Sequence, residues 1–281
     1  MGFPEVPADS AVFTDADVDA LRIASNLFER AGMDLATGLQ QARAMSQATM
    51  RIASSHQDVI AAMAIDPDPL ADAAAAVTLA EDTLPALDHL LVYLYRRHLS
   101  AATEQQLLAT AAGPGATTLS VGFADLARFT ETTELLSVED LAETIERFNA
   151  VTASVVVEGG GRVIKTIGDE VMFTANDAAG GALIGLGLLE GVSPTTGFPE
   201  LRVGLSTGEV LAREGDVFGP AVNLASRLVN IARPGTMLID TATRQAVGDD
   251  PQLRLTELAA RRVRGLGSVR SWRLRRQRLH A

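Results

Sequence analysis

Lysine occurs once in this 281-residue sequence, at Lys165, and arginine supplies every other permanently cationic side chain. Lys165 sits in the apolar run Arg162–Ile167, which is followed by Gly168-Asp169 and a second apolar run, Glu170–Phe173. A chain that uses Arg elsewhere and Lys once selects a compact ammonium over a planar guanidinium at that point. Gly-Asp between two apolar runs reads as a hairpin turn, because Gly takes the positive φ and Asp tolerates the tight bend. Asp169 then stands at the tip, where its carboxylate faces solvent or a metal. Asp125 closes another apolar run, Thr118–Phe123. Two carboxylates meeting at strand ends repel unless a cation lies between them, and hard ions such as Mg²⁺ prefer such ligands, completed by water and phosphate. Asn223 and Arg227 are four apart on a helical stretch and share a face. Asp216 precedes them in the loop Gly215-Asp216-Val217-Phe218-Gly219. Each part alone is also what a solvated turn or helix face would show; the joint occurrence points to chemistry.

The elements that must position these residues follow from pattern and punctuation. Thr110–Ala116, with two Gly and a Pro among small residues, is the best boundary. It divides the chain into residues 1–110 and 111–281. After it come a strand (Thr118–Phe123), a helix opened by Ser137-Val138-Glu139-Asp140, the hairpin and a Gly/Ala/Leu helix (Ala178–Leu189). A strand over Leu201–Ser206 and a helix over Val222–Ile231 come next, and Met237–Asp240, Thr241–Val247 and two strand runs complete the chain. The opening order of strand, helix, two strands, helix, strand is βαββαβ. The expected class is α+β, an all-helical N-terminal domain followed by a ferredoxin-like domain. In such a sheet the opening strand lies beside the hairpin, so Asp125 and Asp169 can meet.

Residues 14–108 read as helical. Thr14-Asp15-Ala16-Asp17 resembles a capping start, Gly32 and Asp34 break and restart the pattern, and Asp66-Pro67-Asp68-Pro69 stops it. Pro85 marks a break or kink within the Ala-rich stretch 70–98. No nucleophile, metal cluster or Gly-rich loop occurs in this region, so its role is interaction or regulation. The net charge of −11 disfavours nonspecific nucleic-acid binding, although Arg254–Arg278 holds nine arginines against one acid, Glu257; that tail reads as a solvated strand or an anion contact. Without cysteine there is no disulfide framework, thiolate metal site or Cys nucleophile. The first residues lack the pattern of a signal peptide, and no uncharged apolar run reaches the roughly 18 residues that span a bilayer. The expectation is a cytoplasmic protein without membrane or nucleic-acid partners.

Across Leu119–Leu274 the sequence resembles the class III nucleotidyl cyclases. Phe123-Ala124-Asp125-Leu126-Ala127-Arg128-Phe129-Thr130 is similar to the family's first metal motif, and Lys165-Thr166-Ile167-Gly168-Asp169 to the second with its substrate-selecting lysine. The stretch from Asp216 to Arg227 is similar to the segment with the other purine-selecting residue and the transition-state pair. The resemblance implies that Asp125 and Asp169 hold two Mg²⁺ or Mn²⁺ ions, that Lys165 and Asp216 read the adenine edge of ATP, that Asn223 orients the ribose and that Arg227 stabilises the α-phosphate. Arg264 resembles the position of a basic triphosphate contact that is often Lys in the family. The implied activity is adenylyl cyclase, ATP to 3′,5′-cyclic AMP and pyrophosphate, in a homodimer whose sites take metal carboxylates from one chain and the other residues from its partner.

The segments Phe13–Leu21 and Leu91–Ser100 resemble the helical autoinhibitory domain of pH-responsive actinobacterial adenylyl cyclases, read here as lacking its first helices. His56, His89 and His98 fall in this region, and His98 beside Arg96 and Arg97 is the best-placed proton sensor. The same residues bear on two other readings. A non-catalytic nucleotide-binding or interaction module on the same fold would be favoured by a lost metal Asp, and both are present. A cyclic-dinucleotide synthase is disfavoured by the missing Gly-Gly-(Asp/Glu)-Glu-Phe signature.

Overall fold

In the computed structural model the structure describes residues 13–63, 77, 81, 84–101, 103, 117–129, 133, 136–213, 215–263 and 267–277. The chain divides into two compact units, Met1–Leu108 and Ala109–Ala281. In the first, α1 spans Asp15–Arg30, α2 spans Leu35–Met63, and residues 84–101 are helical, Pro85 included. The expected start of α1 is a capping box: the Thr14 backbone amide and hydroxyl both donate to the Asp17 carboxylate, each at 2.7 Å. The apolar positions of α1 at Val18, Leu21 and Leu27 are exposed, and α1 buries no residue. Among the described residues no helix is long and apolar enough to cross a membrane. The expected stop at Asp66–Pro69 and the boundary at Thr110–Ala116 lie outside the described residues.

The second unit is built on a mixed sheet. Its strands are β1 (Thr117–Leu126), β2 (Arg162–Ile167), β3 (Glu170–Ala175), β4 (Leu201–Arg213), β5 (Asp216–Phe218), β6 (Thr236–Ile239), β7 (Leu253–Val263) and β8 (Gly267–Arg276). Its helices are α3 (Val138–Glu158), α4 (Ala178–Gly191), α5 (Pro220–Ile231) and α6 (Thr241–Val247). The strand order is β2-β3-β1-β4-β6-β8-β7, with β5 paired to β4. The opening βαββαβ therefore forms the antiparallel ferredoxin-like sheet β2-β3-β1-β4, and β1 lies between the hairpin's β3 and β4 as the element order requires. β6 joins β4 in parallel and the β8–β7 hairpin completes the edge.

Each helix has a local cause. Ser137 caps α3, its hydroxyl accepting from the Asp140 amide at 3.1 Å, and the helix buries Phe148, Thr152 and Val156. Asp177 caps α4 and accepts from the Gly180 amide at 2.7 Å. α4 is apolar nearly all round because it is covered on two sides, by the sheet and by α3. Gly181 and Gly185 let it approach the sheet, where an added Cβ would meet Leu205 and Met237. α5 lies on the opposite face and buries Ala221, Ala225, Leu228 and Val229. β4 shows the division by alternation: Val203 and Leu205 belong to the α4 side, while Gly204 faces the α5 backbone.

Two expectations are corrected. β4 continues past Ser206 to Arg213, and the supposed Gly-Asp-Val-Phe-Gly loop contains a strand, β5, which turns back on it with Leu211 opposite Phe218 and Arg213 opposite Asp216. The Gly and Glu residues of this stretch suggest a loop, and the pairing of its backbone overrides that local preference.

Candidate active site

Gly168 and Asp169 form the two-residue turn between Ile167 and Glu170, and Gly168 has φ +62°, which glycine adopts without strain. The tip is tied to the end of β1, where the Leu126 amide donates to the Asp169 carbonyl at 3.2 Å. Asp125, one residue earlier, lies directly opposite Glu170 on β3 and Arg202 on β4. The two strand-end carboxylates thus come together, with a third, Glu170, and a guanidinium that sequence reasoning did not single out. Asp125 and Arg202 form an ion pair through Oδ2 and Nη2. The signal that drew attention to Lys165, a charge inside an apolar strand, was equally present at Arg202 in Leu201-Arg202-Val203 and at Glu170 in Glu170-Val171-Met172.

The electrostatics of this corner follow from burial and like charge. Burial raises Asp125 above its ordinary carboxylate pKa; the Arg202 hydrogen bond and charge pull against that, and Asp169 adds to it. Glu170 is also raised, first by burial, then by Asp125 and Asp169, against Arg202. Three carboxylates share a half-buried corner with the Arg202 guanidinium. Among the described residues no group of three or more His, Cys, Asp or Glu is arranged as a ready-made metal cage. A corner in which burial, and after it neighbouring carboxylate charge, raises Asp125 and Glu170 still fits a hard divalent ion, which needs only one or two carboxylates when water and phosphate complete its shell.

Lys165 lies opposite Met172 past an irregularity in the β2–β3 register, on the α5 side of the sheet. Its ammonium donates to Asp216 Oδ2 at 2.5 Å, and Asp216 Oδ1 accepts from the Val217 amide at 2.8 Å. The newly found β5 is what holds Asp216 there. Both side chains are partly accessible, Lys165 at 40% and Asp216 at 28%, so the pair is reachable by a ligand. Asn223 and Arg227 stand on the exposed face of α5, four residues apart, opposite the face formed by Ala221, Ala225 and Val229. The Asn223 amide donates to the Gly219 carbonyl within the first turn, and among the described residues neither side chain makes a hydrogen bond or ion pair. One chain therefore gathers the carboxylate group and the Lys165–Asp216 pair, and no such contact links Asn223 or Arg227 to either. Arg264 lies outside the described residues.

Residues 114–276 match the model of the adenylate and guanylate cyclase catalytic domain, and the chain belongs to that family. An adenylate cyclase of Streptomyces coelicolor is 37% identical over 306 residues, covering 99% of this chain and 80% of that protein. A pH-sensitive adenylate cyclase of Mycobacterium tuberculosis is 36% identical over 193 residues, covering 66% of this chain and 48% of that protein. The crystal structure of an adenylyl cyclase from P. aeruginosa shares the fold, with a TM-score of 0.51 and 23% identity over 58% of this chain and 96% of that one.

Proposed function

We propose that this protein is an adenylyl cyclase that converts ATP to 3′,5′-cyclic AMP and pyrophosphate. The observation that carries the substrate choice is the Lys165–Asp216 pair, in which residues 51 positions apart converge. An ammonium donates to a purine ring acceptor and a carboxylate accepts from the exocyclic amine. Adenine offers that combination and guanine presents the reverse at the same edge. Support also comes from relatives named adenylate cyclase over nearly the whole chain.

In this reading Asp125 and Asp169 hold Mg²⁺ or Mn²⁺, two ions to a site. When bound, the ions lower the pKa of the ribose 3′-hydroxyl and neutralise the triphosphate. Asn223 orients the ribose so that its 3′-oxygen faces the α-phosphorus. Arg227 donates to the α-phosphate as charge builds on it in the transition state, and fixed donors of this kind are a large catalytic contribution. Arg264 contacts the triphosphate. The separation of Asn223 and Arg227 from the carboxylates within one chain supports a homodimer in which each site draws on both chains. The helical unit serves regulation, with His98, which is exposed in the structure, as the proposed proton sensor.

The test is incubation of the purified chain with ATP and Mn²⁺, with GTP and EDTA controls. Cyclic AMP from ATP, little cyclic GTP, and loss of product in EDTA and in Asp125→Ala or Asp169→Ala are expected. Metal-independent turnover in either variant overturns the two-ion reading.

A further inference from the structure

Asp125 is flanked on the sheet by opposite charges, Glu170 on β3 and Arg202 on β4. The Arg202 guanidinium reaches it through Nη2 alone, while Arg202 Nε is buried with no hydrogen-bond partner. An arginine grips a carboxylate best through two parallel N–H donors, so this contact uses half of the available grip and orphans a donor that folded proteins seldom leave unpaired. Both side chains are largely shielded, Arg202 26% and Asp125 16% exposed, which makes their charges count more than a surface pair's would. A divalent cation on Asp125 would stand beside the guanidinium, and two positive charges on one carboxylate in a half-buried corner repel each other.

We propose that Arg202 is an exchangeable counter-ion of the metal site. It holds Asp125 while no divalent cation is bound, and it must give Asp125 up when one binds. The single contact and the unpaired Nε make it a weak enough partner to be displaced. Arg202 thereby lowers the affinity of the nucleotide-free protein for metal and keeps the Asp125 carboxylate compensated in the meantime. It acts through Asp125 and is a positioning residue. The inference rests on the metal-site reading of Asp125 given above.

The experiment is Mn²⁺ binding to the full chain without nucleotide at fixed pH, followed by the electron paramagnetic resonance of free Mn²⁺, for wild type, Arg202→Gln and Asp125→Asn. Arg202→Gln should bind Mn²⁺ more tightly, by roughly tenfold or more, and Asp125→Asn should lose the site. A merely structural role for Arg202 would weaken binding. Equal or weaker binding by Arg202→Gln, with Asp125→Asn still defective, overturns the counter-ion role and leaves the metal site standing. Binding unaffected by Asp125→Asn, or absent from wild type and Arg202→Gln alike, overturns both. Should Arg202→Gln fail to fold, the wild type decides. Its Arg202 guanidinium ¹⁵N–H resonance, assigned by its absence from Arg202→Lys, should shift as Mg²⁺ is added, and an unmoved resonance at saturating Mg²⁺ overturns the proposal.

Discussion

Glu170 shows what a carboxylate does when register, rather than local sequence, chooses its neighbours. It stands opposite Asp125, and like charges directly opposite on a sheet destabilise it. Because its pKa is raised in the fold, the protonated form is favoured on folding. Its stability contribution is then present below the unfolded pKa of about 4.3 and lost as pH rises through the folded value. In EDTA at pH 7, Glu170→Gln should therefore raise the melting temperature, and the gain should shrink towards zero as pH falls to about 4. A gain independent of pH would mean that Glu170 acts by packing. Lys165 and Asp216 behave differently. Their pair is partly exposed, so it contributes little to stability. Changing both to apolar residues of similar size should leave the melting temperature nearly unchanged and lower kcat/KM for ATP by roughly a hundredfold or more. Unaltered ATP preference would assign base selection to other groups.

Among the elements, α5 depends on the closest approach to backbone that any described glycine makes, at Gly204. A Cβ on Gly204 would lie 2.3 Å from the Val229 amide nitrogen and 2.5 Å from the Ala225 carbonyl oxygen. Backbone cannot yield as a side chain can, so Gly204→Ala should push α5 off the sheet and cost about 3 kcal/mol, measurable by urea unfolding. Since α5 carries Asn223 and Arg227, turnover per folded molecule should fall as well. The element order was legible in the sequence because hairpin turn, capping residues and apolar periodicity are local signals. Ser137 and the Gly168-Asp169 turn announced their elements directly. β5 was not legible, since three residues between glycines carry no periodicity and pair only because β4 runs on to Arg213. Asp125, Asp169, Lys165 and Asp216 could be picked out by type and spacing. Arg202 and Glu170 could not be placed beside Asp125 without knowing which residues the sheet aligns.

At the scale of the whole molecule, the shared-site reading makes a complementation prediction. Asp169→Ala and Arg227→Ala proteins should each be inactive, and subunit exchange should restore part of the activity, because one of the two heterodimer sites then carries no lesion. Demonstrated heterodimers without activity would sink the composite site. The β2–β3 hairpin gives this arrangement a mechanical consequence. Four residues apart on one short ribbon, paired without a break from Lys165 to the turn, Lys165 and Asp169 would serve different sites, the one reading a purine and the other holding metal for the neighbouring reaction. On that reading the ribbon would work as a rocker with an arm in each chamber. A nucleotide that draws Lys165 inward would tilt the tip that carries Asp169, and the second chamber would feel the first being filled. Wild-type turnover should depart from a simple hyperbola in ATP concentration, whereas the complemented heterodimer, with one competent chamber, should follow one; identical hyperbolic curves for both would show that the ribbon bends freely between its two charges.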